Sequence, residues 1–190
     1  MTSNRLEAFS DGVLAIIITI MVLELKAPED PSLSALVHEA PIFISYLVSF
    51  IYIGIYWNNH HHLFQITEKV NGTILWANLH LLFWLSLIPF TTSWLGENHM
   101  VPATVALYGF NLLMAAIAFF MLQGAILRHH DQDFVLRKVI GKDYKGKISV
   151  VLYVLGLSLA FVNTWIAIGL YLLVAIIWFI PDRRIEKNIA

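Results

Sequence analysis

The sequence predicts an all-α membrane protein of six crossing helices, forming a single domain over residues 1–190. Three observations carry this prediction. Hydrophobic residues make up 58% of the 190 and charged residues only 13%, against about 45–50% and 25% in an ordinary soluble domain. Residues 40–67, 70–96, 98–127 and 148–181 contain no Asp, Glu, Lys or Arg, and the last of these runs is 34 residues long. Prolines mark the ends: Pro28, Pro31, Pro41, Pro102 and Pro181 fall at boundaries, and only Pro89 lies inside a span. No soluble core of this size buries such runs, so the solvent is lipid. Lipid offers the backbone no hydrogen-bond partner, which forces helices. The runs are apolar on every face and lack the alternation of a barrel.

A crossing helix needs about 20 apolar residues. Residues 6–25 qualify, although they carry Glu7, Asp11 and Glu24. Residues 26–40, with two prolines, read as a loop. The second span covers 41–62. The third covers 73–95 and is expected to kink at Pro89, whose ring and missing N–H disrupt a helix interior. A short turn over 96–102 leads to the fourth span, 103–127. Residues 128–147 form a basic loop, read as a topology signal that also contacts anionic lipid. Residues 148–162 and 165–180 are two short spans around Asn163 and Thr164. Each reaches only about 24 Å at 1.5 Å per residue. The N-terminus has Arg5 before its apolar run and no small-residue cleavage site after it, so the first segment is expected to stay. Trp57, Trp76, Trp94, Trp165 and Trp178 lie near span ends, as an interfacial belt requires.

Six spans put both termini on one side. That side holds Arg5, Lys69, Arg128, Arg137, Lys138, Lys142, Lys145, Lys147, Arg183, Arg184 and Lys187, and the other holds only Lys26. The positive-inside rule then makes both termini cytoplasmic. Glu24, Glu29, Asp30, Glu39 and Glu97 give the opposite side an acidic mouth that attracts cations. The chain has no cysteine, which excludes disulfides, thiolate metal sites and cysteine nucleophiles.

The first span carries the chemistry. Asp11 lies about a turn and a half inside it, where a carboxylate costs at least a few kcal/mol unless paired or hydrated. Arg5 is six positions away, about 240° around the helix at 100° per residue, and faces elsewhere. Partners are expected from other helices: His60, His61, His62, Trp76, Asn78 and His80. Locking the first helix to its neighbours and direct ion contact both remain open as the role of Asp11. Gly12, Ile16, Thr19 and Leu23 form one stripe at i, i+4, i+7, i+11, with Ile20 on its edge. Asp11 lies about 140° from Ile16, so Ser10 and Asp11 turn toward the protein. By periodicity alone the stripe fits a helix-packing seam or a pore. His60–His62 and His129–His130 have poor chelating geometry, because adjacent helical side chains diverge by about 100° and lack the i, i+4 spacing of a helical zinc site. No metal is expected. No arginine-rich voltage sensor, carbonyl-cage filter motif, nucleotide loop or hydrolase constellation is present, and no basic–aromatic pattern suggests nucleic acid.

These residues resemble a known family. Arg5-x-x-x-Phe9-Ser10-Asp11-Gly12, followed by Ala15-Ile16 and Thr19, is similar to the signature of transmembrane protein 175, the endolysosomal potassium channels and their shorter prokaryotic homologues. The similarity continues in Ser49-Phe50, Trp57-x-x-His60-His61-x-x-Phe64, Leu75-Trp76-x-Asn78 and Leu87-Ile88-Pro89-Phe90-x-Thr92, covering roughly residues 5–95. The resemblance implies a homotetramer in a prokaryotic plasma membrane, with the first helix lining a central pore. It implies K⁺ as the permeant monovalent cation, no cofactor and no enzymatic activity. It places the hydrophobic constriction at Ile16, with Ile20 and Leu23 further out, and a hydroxyl position at Thr19. It assigns Arg5, Phe9, Ser10 and Asp11 to a network holding the first helix, with His61 and Asn78 as partners. A proton- or ion-coupled transporter using Asp11 and a histidine is the alternative, although no inverted repeat is visible.

Overall fold

A computed structural model describes residues 3–67, 69–130 and 144–179. The described chain is helical: α1 (Ser3–Leu23), α2 (Leu33–His38), α3 (Ala40–Gln65), α4 (Gly72–Ser86), α5 (Ile88–Glu97), α6 (Pro102–His129), α7 (Tyr144–Leu159) and α8 (Thr164–Phe179). Among the described residues, four stretches are long and apolar enough to cross a membrane: Ser3–Leu23, Ala40–Gln65, Gly72–Glu97 and Pro102–His129. α7 and α8, at 16 residues each, are shorter than the roughly 20 residues of a full crossing. Arg137, Lys138, Lys142, Pro181, Arg183, Arg184 and Lys187 lie outside the described residues, as does most of the basic loop.

The helices follow the expected spans with two departures. The expected loop 26–40 contains α2. Asp30 accepts hydrogen bonds from the Ser32 N–H (3.0 Å) and hydroxyl (2.9 Å), and Ser32 Oγ in turn accepts from the Ala35 N–H (3.3 Å). That side-chain cap starts the helix. The expected kink at Pro89 is a break at Leu87 between α4 and α5. Pro89 has no N–H to give to the Leu85 carbonyl, so Leu87 bonds back to Trp84 (3.3 Å) and regular bonding resumes from Thr91 to Leu87 (3.1 Å).

α6 is the hub and packs on α4, α5, α7 and α8, while α1 packs on α3, α4 and α5. Ala115, Ala118 and Ala125 are buried on α6; small residues let helices approach closely where lipid supplies no hydrophobic drive. Tyr171 of α8 is the tightest fit. A Cβ on Gly109 of α6 or Gly156 of α7 would collide with its ring. Gly156→Ala is expected to lower stability by about 1–3 kcal/mol through overpacking, read as a lower melting temperature in detergent. Gly124→Ala on α6, where an added Cβ meets nothing, is the matched control.

Hydroxyls are satisfied within the bundle. Thr92 donates to Ser49 (2.7 Å), Ser49 pairs with Tyr108 (2.9 Å), and Tyr52 donates to the Tyr171 carbonyl (2.5 Å). At the α5–α6 turn His99 and Met100 take φ of 50° and 59°. The Met100 N–H there closes on the Leu95 carbonyl at 3.1 Å, the left-handed way to end a helix.

Candidate functional site

α1 has two unlike faces. Ser3, Leu6, Ser10, Leu14, Ile17 and Met21 are buried against the protomer. The opposite stripe finds no cover: Ile16 is 59% exposed, Ile20 43% and Leu23 76%, and Gly12 and Thr19 are exposed with them. The Thr19 hydroxyl donates to the Ile16 carbonyl (2.8 Å). Its proton is therefore committed to its own helix, and its oxygen lone pairs remain on the exposed face.

The N-terminal half of α1 is tied down by three polar links. The His60 Nε2–H donates to Asn78 Oδ1 (2.8 Å), Asn78 Nδ2 donates to Ser10 Oγ (2.9 Å), and Ser10 donates to the Leu6 carbonyl (2.9 Å). All of these side chains are buried. The amide orientation of Asn78 assigns the Nε2–H tautomer and leaves His60 Nδ1 without a partner. Glu7 accepts from His61 Nδ1 at 2.6 Å, and Gln65 Nε2 donates to His61 Nε2 at 2.8 Å. Asp11 accepts from Trp57 Nε1 at 3.1 Å, with the Trp57 and His61 rings stacked at 6.0 Å.

Several expected contacts are rearranged. Asp11 meets Trp57, which the sequence placed only in the interfacial belt, and none of the six anticipated partners. His61 is held by Glu7. His80 accepts from Trp84 on its own helix (2.9 Å), and Trp76 is 75% exposed. Asn78, named among the candidate partners of Asp11, donates instead to Ser10. Arg5 and Phe9 are exposed, and among the described residues Arg5 makes no hydrogen bond or ion pair within the protomer. A signal for the missed pairs was present. Glu7 and Asp11 are one turn apart on α1, Trp57 and His61 one turn apart on α3, and antiparallel helices match such pairs in reverse order.

The Asp11–Trp57 bond is partly exposed. Transmembrane hydrogen bonds average about 0.6 kcal/mol, with a maximum of about 1.7. Trp57→Phe is expected to cost about that average, measured by thermal unfolding in detergent.

Just past the C-terminal end of α1, Ser93 Oγ lies 3.4 Å from both Glu24 Oε2 and Glu97 Oε1. These close a groove between α1 and α5 that Ile16, Ile20, Pro89 and Phe90 also line. Two carboxylates of the expected acidic mouth thus stand beside the exposed stripe.

The profile of the endosomal/lysosomal potassium channel TMEM175 family matches residues 5–89. A potassium channel of Chryseobacterium sp. (strain P1-3) is 58% identical over 189 residues, spanning 100% of this chain and 98% of the relative. A potassium channel of Chamaesiphon minutus is 30% identical over 190 residues, 92% of each chain. The crystal structure of a lysosomal potassium-selective channel TMEM175 homolog from Chamaesiphon minutus superposes with a TM-score of 0.81 at 30% identity, covering 93% of this chain and 95% of that one.

Proposed function

Because this chain belongs to the endosomal/lysosomal potassium channel TMEM175 family, we propose that it is a multi-pass potassium channel, not an enzyme, in which four copies set α1 around one axis. α7 and α8 complete six crossings in this reading, and both termini lie on the cytoplasmic side of a prokaryotic plasma membrane. Rings of Ile16, Ile20 and Leu23 form an apolar bottleneck that conducts when wide enough to stay wet. A ring of Thr19 oxygens replaces part of the hydration shell of a passing cation. Potassium sheds water more easily than sodium, so the bottleneck favours it modestly. Permeation is passive and weakly voltage-dependent, since no charged sensor rides in the bilayer.

One observation carries this reading: α1 is anchored by its polar face and leaves an uncovered apolar stripe on the other. The bonds of Ser10, Asp11, His61 and Asn78 act as positioning contacts that hold the stripe at its angle. Arg5 and Phe9, exposed on the protomer, act between copies. Glu24 and Glu97 concentrate cations at the outer mouth. The coupled-transport alternative needs Asp11 beside a histidine, and that carboxylate is bonded to Trp57.

The chain has no native cysteine, so Leu23→Cys introduces a single thiol. Mild oxidation in membranes is expected to give disulfide-linked dimers through α1, whereas Phe161→Cys, exposed on the α7–α8 turn, gives none. Absence of cross-linking at Leu23→Cys with intact expression counts against α1 on the axis. A potassium current from purified protein in planar bilayers at symmetric pH tests conduction separately.

A further inference from the structure

α6 packs closely on α7 and α8, but α3 and α7 stand apart except where Tyr153 reaches Tyr52 (3.4 Å). The gap between them is a narrow slot of about 50 Å³. Its walls run from Tyr52 to Asn59 on α3 and from Tyr153 to Gly146 on α7, seven helical steps each, or about 10 Å at 1.5 Å per residue. Tyr56, Phe119, Phe120 and Val150 line its length. Polar groups gather at the inner mouth: Asn59, Gln123 and Ser149, with Trp178 Nε1 donating to Ser149 (2.8 Å) and Lys145 Nζ 6.0 Å from the Trp178 ring. Arg128 and Lys147 are exposed at the same end.

Water is a poor occupant. Each water needs about 10–15 Å³ and two to four polar partners; the Tyr52 and Tyr153 hydroxyls are bonded to one another and to the Tyr171 carbonyl, which leaves the single hydroxyl of Tyr56, short of that number. A bulky ligand does not fit so narrow a space. An extended hydrocarbon chain enters with one side left open past the exposed Phe120, and Lys145 beside Trp178, with Arg128 and Lys147 exposed at the same end of the bundle, complements an anionic head.

The geometry points to a binding site for an anionic phospholipid of the leaflet on the side of the termini, one acyl chain threaded between α3 and α7 and its phosphate among Arg128, Lys145 and Lys147. Native mass spectrometry of the purified full-length chain, titrated with phosphatidylglycerol or phosphatidylcholine, tests this by lipid mass alone and is independent of ion permeation. Phosphatidylglycerol is expected to bind preferentially. Lys147→Ala is expected to weaken it about fivefold, the share of one basic residue at a membrane surface, and to leave phosphatidylcholine unchanged. Ala116→Phe, which fills the slot, is expected to abolish both adducts in protein that elutes like wild type. Glycerol 1-phosphate is expected not to displace the lipid. Wild-type occupancy in folded Ala116→Phe protein overturns the site, as does equal binding of the two lipids or displacement by the free phosphate. Lys147 is exposed, so its arm stands even if Ala116→Phe fails to fold, and unchanged affinity there also overturns the proposal.

Discussion

Ile16→Asn raises potassium current about tenfold, equivalent to 1.36 kcal/mol off the barrier, and shifts the bi-ionic reversal potential toward zero. The side chain at this position is 59% exposed on the protomer, so an amide there disturbs no internal packing. In the assembled channel it converts an apolar ring into one that holds water. A narrow apolar ring dewets and so restricts passage, and it penalises sodium more than potassium because sodium gives up its hydration less readily. A polar ring removes both effects together. Current and selectivity are therefore expected to change in opposite directions, in planar bilayers under potassium on one side and sodium on the other. An unchanged current and reversal potential would place the bottleneck elsewhere.

Asn78→Leu is the second large effect, and it acts on stability. Asn78 joins His60 to Ser10 in a site closed to solvent. Loss of a typical transmembrane hydrogen bond costs about 0.6 kcal/mol, but a buried group left without any partner costs about 1–3. The second magnitude governs here. His60 Nδ1 already lacks a partner, so the substitution leaves both ring nitrogens unbonded, while Ser10 keeps its bond to the Leu6 carbonyl. A loss of about 2–3 kcal/mol is expected, against the smaller cost of Trp57→Phe. Comparing the melting temperatures of the two variants in one detergent separates the alternatives, and a shift no larger than that of Trp57→Phe would show that the site relaxes to readmit water.

The large features were legible in the residues because they depend on one-dimensional pattern. Charge-free runs delimit α3, α6 and the α4–α5 pair to within a few residues, whereas α1, which carries Arg5, Glu7 and Asp11, shows only in its apolar density. The angular spacing of Gly12, Ile16, Thr19 and Leu23 puts them on one stripe, and all four are exposed, whereas Ser10 is buried. What escaped depends on register between helices. Depth in the span pointed Asp11 to His60, His61, His62, Trp76, Asn78 and His80, yet the antiparallel register of α1 and α3 delivers Trp57 to it and gives His61 to Glu7. Tryptophan at a span end was read as a lipid anchor, which hid its indole N–H as a donor. α2 was missed because two prolines dominated the reading of 26–40, while a six-residue helix started by a serine cap leaves little periodicity to see. The contacts of Tyr52, Tyr153 and Tyr171 were equally silent. Each tyrosine looks like an ordinary apolar member of its helix until four helices are brought together.

The interruption at Leu87 makes the third crossing a jointed rod. Ser86, Pro89 and Phe90 flank the joint and share a groove with Ile16 and Ile20. A few degrees of pivot there swings the Glu97 end of the rod, with Ser93 beside it, while the Gly72 end stays clamped through Asn78. The leverage falls on the span of α1 that carries the isoleucines, so a tilt of that end bears directly on Ile16 and Ile20.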